Sequence, residues 1–256
     1  MRSRHDRESR MSLQTQSALA PMVHKLQIWN QLDSAEQDAV LALPHQIETI
    51  EPGAYIVHDG AKAEHSCVLL SGFAFRQKMT GEGGRSISAI HLKGDIVDLQ
   101  NSLLGAADHS VQALSEAEIA RIPREAIVDL AFRLPKVGLA MWYDTLVDAS
   151  IFREWIANIA RRKAEARIAH VLCEFGVRLE ALGLGDRSSY QFPMTQEQLA
   201  DVTGLTTVHV NRSLKSLEAQ GLLTRTTRYV AVGDWPSLKH AGDFDEAYLH
   251  LAMPQR

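Results

Sequence analysis

Thr195–Leu223 reads TQEQLADVTGLTTVHVNRSLKSLEAQGLL, and the spacing of its apolar residues decides the fold of this part of the chain. Gln196 to Val202 has a helix pattern, with Leu199 and Val202 on one side and Thr195 placed to cap its start. Gly204 then interrupts, where a turn between two helices needs a residue that tolerates unusual backbone angles. A second pattern follows, with Val210, Leu214 and Leu217 forming an inward stripe at i, i+4, i+7. Its other face carries Thr206, Thr207, His209, Arg212, Lys215 and Ser216, side chains of the kind that hydrogen-bond to DNA, and Gly221 ends it. The string predicts a helix-turn-helix whose second helix suits a major groove. The competing reading is an αα-hairpin of the sort found in enzymes, which satisfies the same apolar pattern.

The whole string resembles the helix-turn-helix of the CRP/FNR family of bacterial transcription regulators. The family's first half, T-x-x-x-[LI]-A-x-x-x-G-[LS], is met by Thr195, Leu199, Ala200, Gly204 and Leu205. Its recognition helix, ending V-x-R-x-L-x-x-L-E, is met by Val210, Arg212, Leu214, Leu217 and Glu218. The resemblance implies base contacts at Thr207, Val208 and Arg212, with Arg212 able to donate two bonds to guanine O6 and N7. Where the family often has a glutamate this chain has Val208, which offers apolar contact to a thymine methyl, so the half-site should differ from the familiar TGTGA and TTGAT types. Thr195, Gln196, Thr206, His209, Asn211 and Lys215 complete the expected DNA face, with Asn211 favoured over His209 for the groove side. Arg225 and Arg228 lie in Leu222–Thr226 and Arg228–Val232, which resemble the hairpin wing of a winged helix. From Thr206 to Arg228, Arg212, Lys215, Arg225 and Arg228 stand against Glu218 alone, a local basic face in a chain of net charge −4.

Composition sets the outer bounds. At 256 residues, 45% hydrophobic and 23% charged, the chain reads as a globular protein of one large or two ordinary domains. No apolar run approaches the ~20 residues of a membrane helix, and MRSRHDRESR at the start is no secretory signal. Residues 1–24 are expected as a disordered or loosely ordered tail, and a cytoplasmic location follows. Cys67 and Cys173 lie too far apart in sequence for a spaced metal or cluster motif.

Leu26 to Leu43 has a helical pattern, with Asp33–Ser34 capping a second short helix. From His45 to Ile122 the pattern becomes short β-type runs with glycines between or beside them: Gln46–Ile50, Tyr55–His58, Ser66–Leu70, Phe73–Lys78, Ser86–His91, Ile96–Asp98 and Glu118–Arg121. Their order resembles the small jelly roll, or β-roll, of the cyclic-nucleotide-binding domain, assigned here to residues 25–133. Residues 134–162 form a long apolar helix on which Leu139, Trp142, Leu146, Ala149 and Ile156 follow coiled-coil spacing, interrupted by Arg153. A dimerisation helix is the favoured reading because operator half-sites need paired helix-turn-helix units, and a helix buried within one monomer is the competing one. Arg161–Lys163 marks a hinge, a helix follows over Ala164 to Leu182, and Gly183 to Tyr190 reads as a loop. Residues 163–240 are the expected winged helix-turn-helix and 241–256 a C-terminal extension, in which Tyr248, Leu249 and Leu251 can form a short packing helix. The fold class is therefore α+β: a β-roll sensor, a long dimerisation helix and a winged helix-turn-helix.

In nucleotide-binding members a G-E-[LI] loop and a later R-[ST] pair hold the ribose and the cyclic phosphate. The matching positions here give Asp98, Leu99 and Gln100, then His109 and Ser110. Leucine cannot accept from a ribose hydroxyl, and neutral histidine is a poor partner for a buried phosphate, so the pocket reads as degenerate and cyclic AMP in the usual mode is not expected. No cofactor is expected either: an iron–sulfur cluster needs about four cysteines, lone histidines on strands such as His58, His65, His91 and His109 are more often surface or hydrogen-bonded residues than haem ligands, and no His-x-His marks a cupin site. Gly81–Gly84, reading GEGG, is a hairpin turn rather than a phosphate cradle, and no nucleophile–base set indicates an enzyme. The expected partners are double-stranded DNA with a palindromic operator, a second copy of the chain, RNA polymerase as a further candidate, and an effector of unknown identity. The alternative is a ligand-binding or protein-interaction module that has lost sequence-specific DNA binding.

Overall fold

The computed structural model describes residues 18–251. Two compact units divide them, one comprising 18–74 and 91–145 and the other 75–90 and 146–251, and each is described by itself.

The first unit opens with α1 (Ala20–Trp29) and α2 (Ser34–Leu41). Residues 20–24, placed in the tail by sequence, are the first turns of α1, and Leu19, Met22 and Val23 are buried; residues 1–17 lie outside the described residues. Asp33 caps α2 in a reciprocal capping box with Glu36, as its sequence implies. β1 (Gln46–Ile50), β2 (Tyr55–Val57) and β3 (His65–Ser71) follow, and after them β4 (Ala74–Met79) and β5 (Arg85–His91). Later come α3 (Asn101–Leu104), β6 (Ser110–Ala113), β7 (Ala117–Pro123) and α4 (Arg124–Arg133). β7 lies between β1 and β3 and pairs antiparallel with both, while β2 pairs antiparallel with β6.

The apolar run Cys67–Leu70 makes sense once β3 is buried on both faces. Successive side chains alternate across a strand. Cys67 and Leu69 enter a core with Ile56, Val97, Val111 and Ile119, whereas Val68 and Leu70 enter a second core with Leu26, Val40, Ile127 and Leu130. β7 divides in the same way, Ile119 to one side and Ala120 and Ile122 to the other. Ile96–Asp98, expected as a strand, is irregular: Ile96 bridges Val68, and the Asp98 carboxylate turns inward to accept the Cys67 N–H at 2.8 Å.

The β4–β5 hairpin, residues 75–90, groups with the second unit rather than with the rest of the expected 25–133 domain. α5 (Pro135–Arg161) is the long helix, and α6 (Ala164–Ala181) begins after the turn at Arg162 and Lys163. β8 (Ser189–Gln191), α7 (Gln196–Thr203), α8 (Thr207–Ala219), β9 (Leu223–Arg225), β10 (Tyr229–Val232) and α9 (Trp235–Ala241) complete the winged-helix part. α6 is its axle: Ile168 to Val177 are buried throughout, and Phe175 meets Tyr190 and Phe192 at ring distances of 5.9 and 5.3 Å. The loop expected over Gly183 to Tyr190 contains the start of β8, which joins the wing as the outer partner of β10. A 3₁₀ turn at Glu246–Leu249 follows α9, where a short packing helix was expected. No helix of the described residues is long and apolar enough to cross a membrane.

Candidate nucleic-acid interface

Thr195 begins α7 with a capping box: its hydroxyl accepts from Gln198 N at 3.2 Å, and Gln198 Oε1 accepts from Thr195 N at 2.8 Å. At its end Gly204 sits at φ 62°, a left-handed conformation that favours glycine. A Cβ there would stand 3.1 Å from Ile159 Cγ2, so space and backbone angle both restrict the turn. Two residues later Thr206 caps α8 through His209 N. Leu199, Val202, Val210, Leu214 and Leu217 are buried, as the helical spacing requires, and fix the pair against each other and against α6.

The opposite face of α8 is open. Thr206, Thr207, Val208, His209, Arg212 and Lys215 are exposed, and Val208 is 65% exposed, an apolar side chain held in solvent on the first turn. Arg212 follows Val208 by four residues and shares its face. Asn211, expected in the groove, donates to Gln196 Oε1 at 3.2 Å and is half-buried, so it ties α8 to the start of α7. His209 Nδ1 faces the Thr206 hydroxyl at 3.2 Å, which places it beside the cap. In the wing Arg225 pairs with Glu218 at 2.8 Å, whereas Arg228 is exposed at the turn between β9 and β10.

Of the five residues matched to a nucleotide pocket, Gln100 and His109 meet, whereas Asp98, Leu99 and Ser110 are engaged elsewhere. Gln100 Nε2 and His109 Nε2 lie 3.4 Å apart, and His109 Nδ1 is 2.6 Å from Asp108 Oδ1. Ser110 Oγ instead accepts from Asp59 N, and Leu99 is a core residue packed with Val68, Ile96 and Ile127. Asp98 is also internal, where burial drives its carboxyl up to about 7 against the lowering pull of the Cys67 N–H and Arg121. The Arg121 guanidinium lies 3.5 Å from Cys67 Sγ and 2.5 Å from Glu48. Burial raises the Cys67 thiol, so the environment is that of an unreactive cysteine.

On α5 the two stripes separate cleanly. Val137, Ala140, Met141, Val147, Ile151 and Trp155 are buried, whereas Leu139, Trp142, Leu146 and Ile156 are 40–63% exposed. Ala149 completes that outer row and is half-buried, and Arg153, which interrupts it, turns to Ser150 Oγ at 2.8 Å.

The profile described as Crp-like helix-turn-helix domain matches residues 166–241, and that described as cyclic nucleotide-binding domain matches residues 47–133. Among similar proteins, the transcriptional activator protein FnrL of Cereibacter sphaeroides is 26% identical over 214 residues, 82% of this chain and 86% of the relative. The nitrogen fixation regulation protein FixK of Azorhizobium caulinodans is 26% identical over 185 residues, 72% and 74% of the two chains. The solved structure of FixK2 from Bradyrhizobium japonicum superposes with a TM-score of 0.72 at 22% identity, covering 78% of this chain and 98% of that one. Both profiles, in this order on a β-roll, a long helix and a winged helix-turn-helix, make the chain a member of the CRP/FNR family, a transcription regulator with a DNA-binding helix-turn-helix.

Proposed function

We propose that the chain works as a homodimer on two-fold symmetric DNA, pairing through α5 and reading each half-site with α8. The observation that carries this is the exposed row Leu139, Trp142, Leu146 and Ile156, set at coiled-coil spacing opposite a fully buried stripe. An exposed apolar seam of this length is costly on a monomer and is relieved by a second copy. Thr207, Val208 and Arg212 would meet base edges, and Thr195, Thr206, Lys215 and Arg228 the phosphates, with Gln196 and Asn211 holding the two helices in register. The effector pocket is degenerate: Leu99 is committed to the core and His109 to Asp108, so neither supplies what a ribose hydroxyl or a cyclic phosphate needs.

The test is selection from a random duplex library at moderate salt, with sedimentation of the same sample. A dimer that enriches a palindrome is expected, with affinity unchanged by added cyclic AMP. A monomer in sedimentation, an asymmetric selected site or a strong cyclic AMP response would each overturn the corresponding part.

A further inference from the structure

The helix-turn-helix match ends at residue 241, and residues 242–251 fold onto the junction of α5 and α6. Gly242 comes so close to α6 that a Cβ would stand 2.7 Å from His170 N, and its carbonyl lies 3.2 Å from His170 Nδ1. Asp243 holds the turn between the helices, taking Arg162 Nε at 3.1 Å on its carboxylate and Nη2 at 3.0 Å on its carbonyl. Arg162 in turn pairs with Glu154 of α5 at 2.7 Å. Phe244 is buried edge-on to His170 at 5.2 Å.

Tyr248 closes the arrangement. Its hydroxyl lies 2.8 Å from Glu174 Oε2 and 3.1 Å from His170 Nε2, both on α6. The same Glu174 oxygen accepts Trp155 Nε1 of α5 at 2.8 Å, and Glu174 is almost fully buried. Two separated points, Asp243 on Arg162 and Tyr248 on Glu174, therefore tie α5 to α6 from one short segment. Two fixed points define an angle where one would leave a pivot.

We infer that residues 242–251 form a strap that sets the angle between α5 and α6, with Tyr248 as its positioning residue. Since α6 packs on α8, that angle fixes how far apart and how tilted the two α8 helices lie in an α5-paired dimer. The strap thereby determines the half-site spacing the protein accepts. This last step rests on the dimeric reading above, whereas the strap itself does not.

Tyr248→Phe keeps the ring and removes the hydroxyl. Asp243→Ala acts at the other tie, on an exposed side chain, and covers the case in which the first variant folds poorly. Spin labels at Ala157 and Ala219, both exposed, diluted into unlabelled full-length chain, report the α5–α8 distance within one protomer. A single narrow distribution is expected for the parent chain and a clearly broader one for each variant. An unchanged distribution in both overturns the strap, whether or not an operator is found. The second measurement places the selected palindrome at spacings one base pair longer and shorter. The parent should lose about tenfold in affinity and the variants about threefold or less, with isolated half-site affinity unchanged, because a looser link averages over more geometries. A purely stabilising role would lower the melting temperature and leave this spacing ratio alone, and that result overturns the positioning role. Failure of the parent to select any two-fold site removes the dimeric reading and leaves the distance measurement to decide the strap.

Discussion

Arg225 of the wing donates from Nε to Glu218 Oε1 at 2.8 Å, so the wing is pinned to the acidic residue near the end of the recognition helix. Sequence counts Arg225 as one of four cations on this face; the structure makes it half of an ion pair. Arg228, three residues on, stays exposed. In a plot of log Kd against log salt, Arg228→Ala is expected to lower the slope by about 1 and weaken all sequences alike. Arg225→Ala should change the slope distinctly less. Equal slopes would mean that the ion pair opens on DNA.

Val208 and Arg212 should read separate features of one half-site. Arg212→Ala is expected to cost about 1–3 kcal/mol of discrimination at a single guanine and little at other positions. Replacing the facing thymine by uracil removes only a methyl, so it should weaken the parent protein and leave Val208→Ala indifferent. A matrix of all single-base operator variants against the three proteins decides it.

Charge on the outer row of α5 should separate pairing from folding. Trp142 is 63% exposed, so Trp142→Glu buries no charge within the monomer. Sedimentation is expected to show a monomer with native circular dichroism, and specific binding should fall by at least about a hundredfold as the second half-site contact is lost. A variant that remains dimeric would place the seam elsewhere.

Two buried groups give stability opposite pH dependences. Burial raises the folded Asp98 carboxyl to about 7, well above the ordinary aspartate range, so it takes up a proton on folding. Its contribution is full below the unfolded value and is lost as pH rises through 7. Asp98→Asn keeps an acceptor for Cys67 N, and the parent's stability relative to it should fall by roughly 2–3 kcal/mol between pH 5 and pH 8 in urea unfolding. His170 has its folded value lowered to about 4, first by burial and then by Arg162. Its contribution is present above the unfolded value and lost as pH falls through about 4, so His170→Gln should flatten the acid limb alone.

The helix-turn-helix was legible because every rule there is local. A hydroxyl at Thr195, Gln198 three residues on, a glycine at Gly204 and the i, i+4, i+7 stripe each act within a turn or two of helix. The strands read well where the chain alternates or carries β-branched residues, as in Gln46–Ile50. What escaped depends on distant partners. β8 is three residues long and exists through its pairing with β10, and β6 reads SVQA, with little β character of its own. The apolar end of the tail gave no sign that Leu19 and Met22 would be core, since the cluster they fill is assembled from β3, β7, α4 and α5. α4 was missed altogether between a strand and the long helix. At the site, sequence matched Leu99 and His109 to pocket positions by order in the chain, but order does not reveal that Leu99 faces the core. Nor does order in the chain reveal that Asn211 bonds to Gln196 on the neighbouring helix.

The two cysteines offer a practical consequence. Cys67 lies in the first unit and Cys173 in the second; both are at most 1% exposed, and burial raises both thiols, Cys173 to about 12. Thiol reagents attack the thiolate, so neither can react until its surroundings part. The alkylation rate at each sulfur therefore clocks the opening of its own half of the molecule. Peptide mapping after timed labelling would read both clocks in one unmodified sample, and binding DNA should slow the second more than the first.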